Sequence, residues 1–222
     1  MADYKKPDYW QLKARKEGYP ARSVYKLKEM DEKFALLKTG GGAPSVCRVL
    51  DLGAAPGSWS LYALRKMAAK GFLVSADISP LSRQYDGGLF DGDNFFFVQG
   101  DITDPAIQGI ILSRGPYSLI ISDTAPATSG NRSVDAARSL ELAGAVLDYA
   151  EKALVKGGSL VLKVFQGGDT AELLKRIKTL FDTAKGFKPR SCRSESFETY
   201  YIGMGRNEEP RGMYPVFHSA GK

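Results

Sequence analysis

Val49-Leu50-Asp51-Leu52-Gly53-Ala54-Ala55-Pro56-Gly57-Ser58-Trp59-Ser60 decides the fold. An apolar run stops at Asp51, a turn of small residues follows, and a helical pattern opens at Ser58. These are the parts of a β-α unit: a buried strand, a tight loop and a helix N-terminus. In open α/β sheets ligands bind outside the carboxyl ends of the strands. Glycine at such a turn admits a close backbone approach that a Cβ would block. The spacing here is Gly-x-x-x-Gly. That is neither the Gly-x-Gly-x-x-Gly dinucleotide fingerprint nor a P-loop, which needs Gly-Lys-Ser/Thr.

Outward from this stretch, strand and helix patterns alternate. Residues 46–52, 72–77, 95–99, 117–123 and 159–165 read as strands. Helical patterns occupy 58–69, 105–112, 133–156 and 170–181, with Ser133 as the expected N-cap of the long one and Gly157-Gly158 as its terminator. Residues 79–93 read as a loop. Before the first strand, Val24, Leu27, Met30, Phe34 and Leu37 mark one face of a helix over 21–37. A glycine-rich linker at 39–44 ends it. Alternation of this kind predicts a mainly parallel sheet with helices on both faces. Two closing strands at 187–193 and 199–204 have too short a connection for a parallel crossover, so they are expected to pair antiparallel. One domain over 1–205 is expected, with a basic helical region, 1–38, packed on it and a loose tail over 206–222.

Composition narrows the function. The chain has 222 residues, a net charge of +6, two cysteines and one histidine. Cys47 and Cys192 form no Cys-x-x-Cys pair, so neither a disulfide framework nor a zinc site is expected. His218 is the sole histidine, which disfavours His-dependent triads and a metal centre. No apolar run reaches the ~18 residues of a membrane span, and the N-terminus has no apolar signal core. A soluble cytoplasmic protein, without membrane contact, is the expectation. Positive charge concentrates in two places. Residues 1–38 carry ten Lys/Arg against six Asp/Glu, and residues 175–193 carry seven against Asp182 alone. Tyr4, Tyr9, Trp10 and Tyr19 interleave with the first set. Basic side chains contact phosphates and aromatics stack on unpaired bases, so RNA is the expected partner.

Three aspartates fall at expected strand ends. Asp77 closes the second strand, 20 residues after Gly57; Asp101 follows the third; Asp123 ends the fourth. An acid at the end of the second strand accepts hydrogen bonds from ribose hydroxyls in nucleotide-binding α/β folds. The set favours an adenosine-containing cofactor and leaves open whether it is a nicotinamide nucleotide or S-adenosylmethionine. Lys163 is a further oddity, a lysine late in the apolar strand Leu160-Val161-Leu162-Lys163-Val164-Phe165. Such a side chain is costly unless paired.

Several of these segments together resemble the RrmJ/FtsJ family of RNA ribose 2′-O-methyltransferases. The Asp51–Ser60 loop is similar to its S-adenosylmethionine loop, and Asp123-Thr124-Ala125-Pro126-Ala127-Thr128-Ser129-Gly130 to its Asp-Met-Ala-Pro-Asn-x-Ser-Gly segment. Val161–Gly167, Ser194–Tyr201 and Ala21-Arg22-Ser23-Val24-Tyr25-Lys26-Leu27 resemble three further motifs, in the family's order. The resemblance implies a Rossmann-like methyltransferase fold of seven strands with an antiparallel last strand. It implies S-adenosylmethionine as cofactor, with contacts at Gly57, Trp59, Asp77, Asp101 and Asp123. It implies a Lys-Asp-Lys-Glu catalytic set at Lys26, Asp123, Lys163 and Glu198, with Lys163 as general base. A uridine of large-subunit ribosomal RNA is the implied substrate and a monomer the expected form. Transfer RNA methylation is the alternative enzyme reading, and a catalytically silent RNA-binding assembly factor the alternative outside enzymes. Retention of all four catalytic positions argues against silence. Two departures stand out: Ala127 replaces the family's Asn, and the segment between Asp77 and Asp101 is longer than in compact bacterial members.

Overall fold

The computed structural model describes residues 7–37, 47–167 and 170–208. The expected 39–44 linker, His218 and all but the first residues of the expected tail lie outside the described residues.

Seven strands form one sheet: β1 (Cys47–Leu52), β2 (Gly71–Asp77), β3 (Phe95–Gln99), β4 (Tyr117–Ser122), β5 (Leu154–Phe165), β6 (Phe181–Phe187) and β7 (Glu198–Arg206). Their order is β3-β2-β1-β4-β5-β7-β6. β1 to β5 pair in parallel, and β7 runs antiparallel to both β5 and β6. The chain enters mid-sheet at β1, then winds outward in both directions. The switch point between β1 and β4 therefore opens a crevice at their carboxyl ends.

Strand side chains alternate between two cores. Leu160, Leu162 and Val164 of β5 join Leu50, Leu52 and Ile120 against α4 (Pro105–Ser113), α5 (Arg132–Ala153) and α6 (Thr170–Leu180). Val161, Tyr200 and Ile202 face the other way, with Val49 and Ile121, against α1 (Tyr9–Lys16), α2 (Val24–Phe34) and α3 (Ser58–Met67). The expected mainly parallel sheet, covered on both faces and closed by an antiparallel last strand, is the one observed.

The boundaries differ in five instructive places. α1 falls inside the basic helical region expected over 1–38 but outside the 21–37 periodicity, and its amphipathicity is thin: only Ala14 is buried. Asp8 starts it by accepting from the Gln11 N–H at 2.9 Å. α2 stops at Phe34, where Ala35 turns left-handed at φ 55°. α5 is capped by Asn131, which accepts from Ser133 and Val134, rather than by Ser133 itself. The chain then passes directly into β5, whose register jumps from Tyr117↔Leu154 to Leu119↔Ser159. Gly157, at φ +77°, lies in that bulge and supplies the backbone freedom it needs. The penultimate strand occupies 181–187 rather than 187–193. It is a sheet edge, so only one neighbour constrains it, and its burial is too patchy to leave a clear alternation.

Candidate active site

The carboxyl ends of β1 to β4 surround a cavity of about 470 Å³, within the usual range for small-molecule sites. Gly53 lets two of its walls meet. At φ +75° it needs a residue without a Cβ, and a Cβ there would lie 2.6 Å from Thr124 Cγ2 and 2.8 Å from the Thr124 backbone. The N–H groups of Gly53 and Ala54 both donate to the Ala76 carbonyl, at 2.9 and 3.2 Å, which joins this turn to the end of β2. Asp77 braces the same turn, accepting from Ala55 N–H at 2.9 Å and Ser79 N–H at 2.8 Å. Asp101 accepts from the N–H and hydroxyl of Thr103 through one oxygen, Oδ1. These two bonds hold its exposed carboxyl below the usual range. Asp123 completes the acidic lining.

Asp123 is also where the cavity meets a buried ionic cluster. Antiparallel pairing sets Lys163 opposite Tyr200 and Phe165 opposite Glu198. Lys163 Nζ reaches Asp123 Oδ1 at 3.0 Å and its carbonyl at 2.5 Å. The Tyr200 hydroxyl donates to the same Asp123 oxygen at 2.6 Å. Lys26, on α2, pairs with Glu198 at 2.7 Å and lies 6.0 Å from the Tyr200 ring centroid. Lys26, Asp123, Lys163 and Glu198 thus converge from α2, the end of β4, β5 and β7.

The cluster fixes charge states. Burial would raise the Asp123 carboxyl, but Lys163, Lys26 and the Tyr200 hydroxyl hold it below the ordinary carboxylate value. Burial would lower Lys26, but Asp123 and Glu198 carry it above an ordinary lysine. Burial and the two carboxylates push the Tyr200 phenol well up, so it stays a donor. Burial and Glu198 push the Cys192 thiol up to about 12, which keeps it protonated and unreactive at neutral pH.

α2 is delivered to this point by α3 and by the β6–β7 loop. Ala21 N–H donates to Ser58 Oγ at 2.8 Å, and the Trp59 indole N–H donates to the Ser23 carbonyl at 2.8 Å. Trp59 also packs on Tyr200, their centroids 5.9 Å apart. On the other side, Glu29 accepts from two successive N–H groups of the loop, Arg190 at 2.7 Å and Ser191 at 2.8 Å. Arg22 donates to the Ser191 carbonyl and pairs with Asp8.

Of the expected cofactor residues, Asp77, Asp101 and Asp123 line the cavity, whereas Gly57 and Trp59 do not. Gly57, at φ +105°, turns the chain into α3 against Phe90, and the Trp59 side chain is buried towards α2. Ala127 does line the cavity, so the departure from the family's Asn falls on the ligand side. The long segment after Asp77 supplies Ile78 and Ser79 to the rim. Glu29, Tyr200 and Asp51 did not stand out from the sequence. Glu29 acts 161 residues away from its partners, with no local signal. Tyr200 could have been found as the cross-strand partner of Lys163 had the β5–β7 register been drawn. Asp51 is an acid inside the apolar run that set the fold. It is fully buried, with Oδ2 accepting from Ser60 at 2.7 Å and Oδ1 lacking a partner among the described residues.

Among the described residues no helix is long and apolar enough to cross a membrane, and no group of three or more His, Cys, Asp or Glu could hold a metal ion.

Known proteins resemble this chain in sequence and fold. A family model described as FtsJ-like methyltransferase matches residues 19–206. A ribosomal RNA large subunit methyltransferase E from Treponema denticola is 48% identical over 201 residues, covering 90% of this chain and 96% of its own. The Oleidesulfovibrio alaskensis protein of the same name is 45% identical over 200 residues, covering 89% and 91%. A Plasmodium falciparum crystal structure superposes with a TM-score of 0.69 at 26% identity, covering 85% of this chain and 98% of that one. A match over most of the chain, together with a strand-end cavity and the four converging side chains, leaves one assignment: the chain belongs to the FtsJ-like methyltransferase family.

Proposed function

We propose that this protein methylates a ribose 2′-hydroxyl in large-subunit ribosomal RNA, a uridine by expectation, using S-adenosylmethionine. The observation that carries the reading is the pair of ion pairs, Lys163–Asp123 and Lys26–Glu198, tied through Tyr200 at the end of the acidic cavity. The relatives' printed names supply the ribosomal substrate.

The cavity suits the cofactor. Carboxylates at Asp77 and Asp101 accept from hydroxyls or amines, and the ionised Asp123 favours a cation beside it. When bound, S-adenosylmethionine supplies a methyl group on a cationic sulfur, which the attacking oxygen displaces as the neutral thioether. Lys163 takes the hydroxyl proton as that oxygen attacks, having first released to solvent the ammonium proton of its ion pair with Asp123. A positioned base of this kind contributes ~10²–10⁴-fold. Asp123 orients Lys163 through its carboxylate and carbonyl. Lys26 stays charged and pairs with Glu198, so it orients the hydroxyl without competing for its proton. Gly57 contributes by turning the chain into α3, and Trp59 by holding the α3 N-terminus under α2.

Incubation with methyl-labelled S-adenosylmethionine tests this, offering large ribosomal subunits, free ribosomal RNA and transfer RNA in parallel, then mapping the label. Label on a ribose 2′-oxygen of large-subunit RNA is expected. Label on transfer RNA alone, or a protein that binds NAD(H) and not S-adenosylmethionine, would refute it. Lys163→Ala should abolish transfer with cofactor affinity nearly intact, and near-normal turnover would remove Lys163 as the base.

A further inference from the structure

Two features beside the catalytic cluster have no part in the roles above. The first is an aromatic pair. Phe165 lies two residues beyond Lys163 on the same face of β5, about 7 Å along the strand. Its ring packs on that of Phe197, with centroids 4.6 Å apart. Gln166 N–H donates to the Phe197 carbonyl at 2.7 Å, which fixes Phe197 next to Glu198. Phe197 is only half-buried.

The second is Arg132. It is exposed and forms no salt bridge among the described residues. It opens α5, where the helix dipole disfavours a cation. Its guanidinium lies 5.8 Å from the Phe197 ring centroid. Its position relative to Asp123 is set: the intervening loop is pinned where Ser129 donates its N–H and hydroxyl to Asp135, at 2.7 and 2.8 Å. The first turns of α5 also close on the end of β5, since a Cβ on Gly167 would lie 3.3 Å from that of Ala136. An exposed guanidinium thus lies beside a half-open ring that packs on Phe165, two residues beyond Lys163. Base faces stack on aromatic rings, and guanidinium forks bind phosphate oxygens.

We propose that Phe197, backed by Phe165, is the shelf on which the base of the target nucleotide stacks, and that Arg132 binds an adjoining phosphate. This rests on the RNA-methylating reading above. The shelf holds an unstacked base by its face, so it selects a nucleotide presented out of its helix rather than a base identity. The base rests on Phe197 while its ribose lies at Lys163.

Steady-state methylation of large ribosomal subunits from cells lacking this protein tests the proposal, with S-adenosylmethionine affinity measured separately by calorimetry. Phe197→Leu keeps apolar volume beside Phe165 but removes the ring face. It should lower kcat/KM for subunits roughly tenfold and leave cofactor affinity unchanged, and Phe197→Tyr should restore the rate. Arg132→Gln, on the surface, should raise KM several-fold and reduce the salt dependence of subunit binding by about one unit of slope. Wild-type kcat/KM in Phe197→Leu overturns the shelf, as does a loss of cofactor affinity or a failure of Phe197→Tyr to rescue. An unchanged KM in Arg132→Gln overturns the phosphate contact. A wild-type protein inactive on subunits would refute the underlying reading instead.

Discussion

At Asp51 a single side chain has two environments to satisfy. The apolar strand that carries it is buried on both faces, and Ser60 and Ser75 are its polar surroundings. Burial, with Asp123 and Asp77 nearby, pushes its carboxyl up to about 7 against the opposing bond from Ser60. The folded chain therefore keeps a proton there that the unfolded chain releases near pH 4. A raised folded-state value for an acid makes stability fall as pH rises between those two values. Replacing Asp51 by Asn should flatten the pH 5 to pH 8 part of the stability curve and make the variant the more stable protein at pH 8. The gain is at most about 4 kcal/mol. Urea unfolding at both pH values reads it, and parallel curves for the two proteins would refute the buried-proton account. Lys163 and the strand-end aspartates were visible in the chain because each breaks a pattern. Asp51 breaks one too, but its surroundings are assembled from α3 and β2, which no local window contains.

Among elements, α2 and the β6–β7 loop behave as one body. Glu29 accepts two backbone N–H groups of the loop, Arg22 holds the Ser191 carbonyl, and Lys188 bridges to the Ser196 carbonyl at 2.7 Å. The Lys26–Glu198 pair lies inside that frame. Glu29→Ala should lower stability by about 2 kcal/mol, since bonds to a charged group contribute more than neutral ones. It should also reduce kcat while S-adenosylmethionine affinity holds, with Glu29→Gln retaining part of both. Wild-type kcat in a folded Glu29→Ala protein would separate the loop from the cluster. The strands β1 to β4 were legible because both of their faces are apolar. β6 was not, because an edge strand can carry Asp182, Lys185 and Gly186 without cost to a core. The apolar spacing of α2 was plain, but the face that carries Lys26 to Glu198 was not, since a lysine on a basic helix looks the same whether solvated or paired.

For the whole molecule, the sheet divides charge that is continuous in sequence. Lys175 and Lys178 lie on α6, whose buried side joins α4 and α5, while Lys188 and Arg190 lie on the loop that packs on α2. Arg176 is already occupied, pairing with Asp148 at 2.7 Å and Glu151 at 2.8 Å. The basic run at 175–193, one surface in the sequence reading, is therefore two. RNA binding to the catalytic side should lose about 1.5 units of salt slope when Lys188 and Arg190 become Ala, and nothing when Lys175 and Lys178 do. Equal losses from both pairs would mean that the nucleic acid wraps the edge of the sheet. The placement of β7 between β5 and β6 has a consequence in time. The cavity is built from residues 53–142, but Glu198 and Tyr200 arrive only with the last strand. The crevice wall thus comes from chain made first, and the ionic cluster closes only when β7 pairs with β5 and β6.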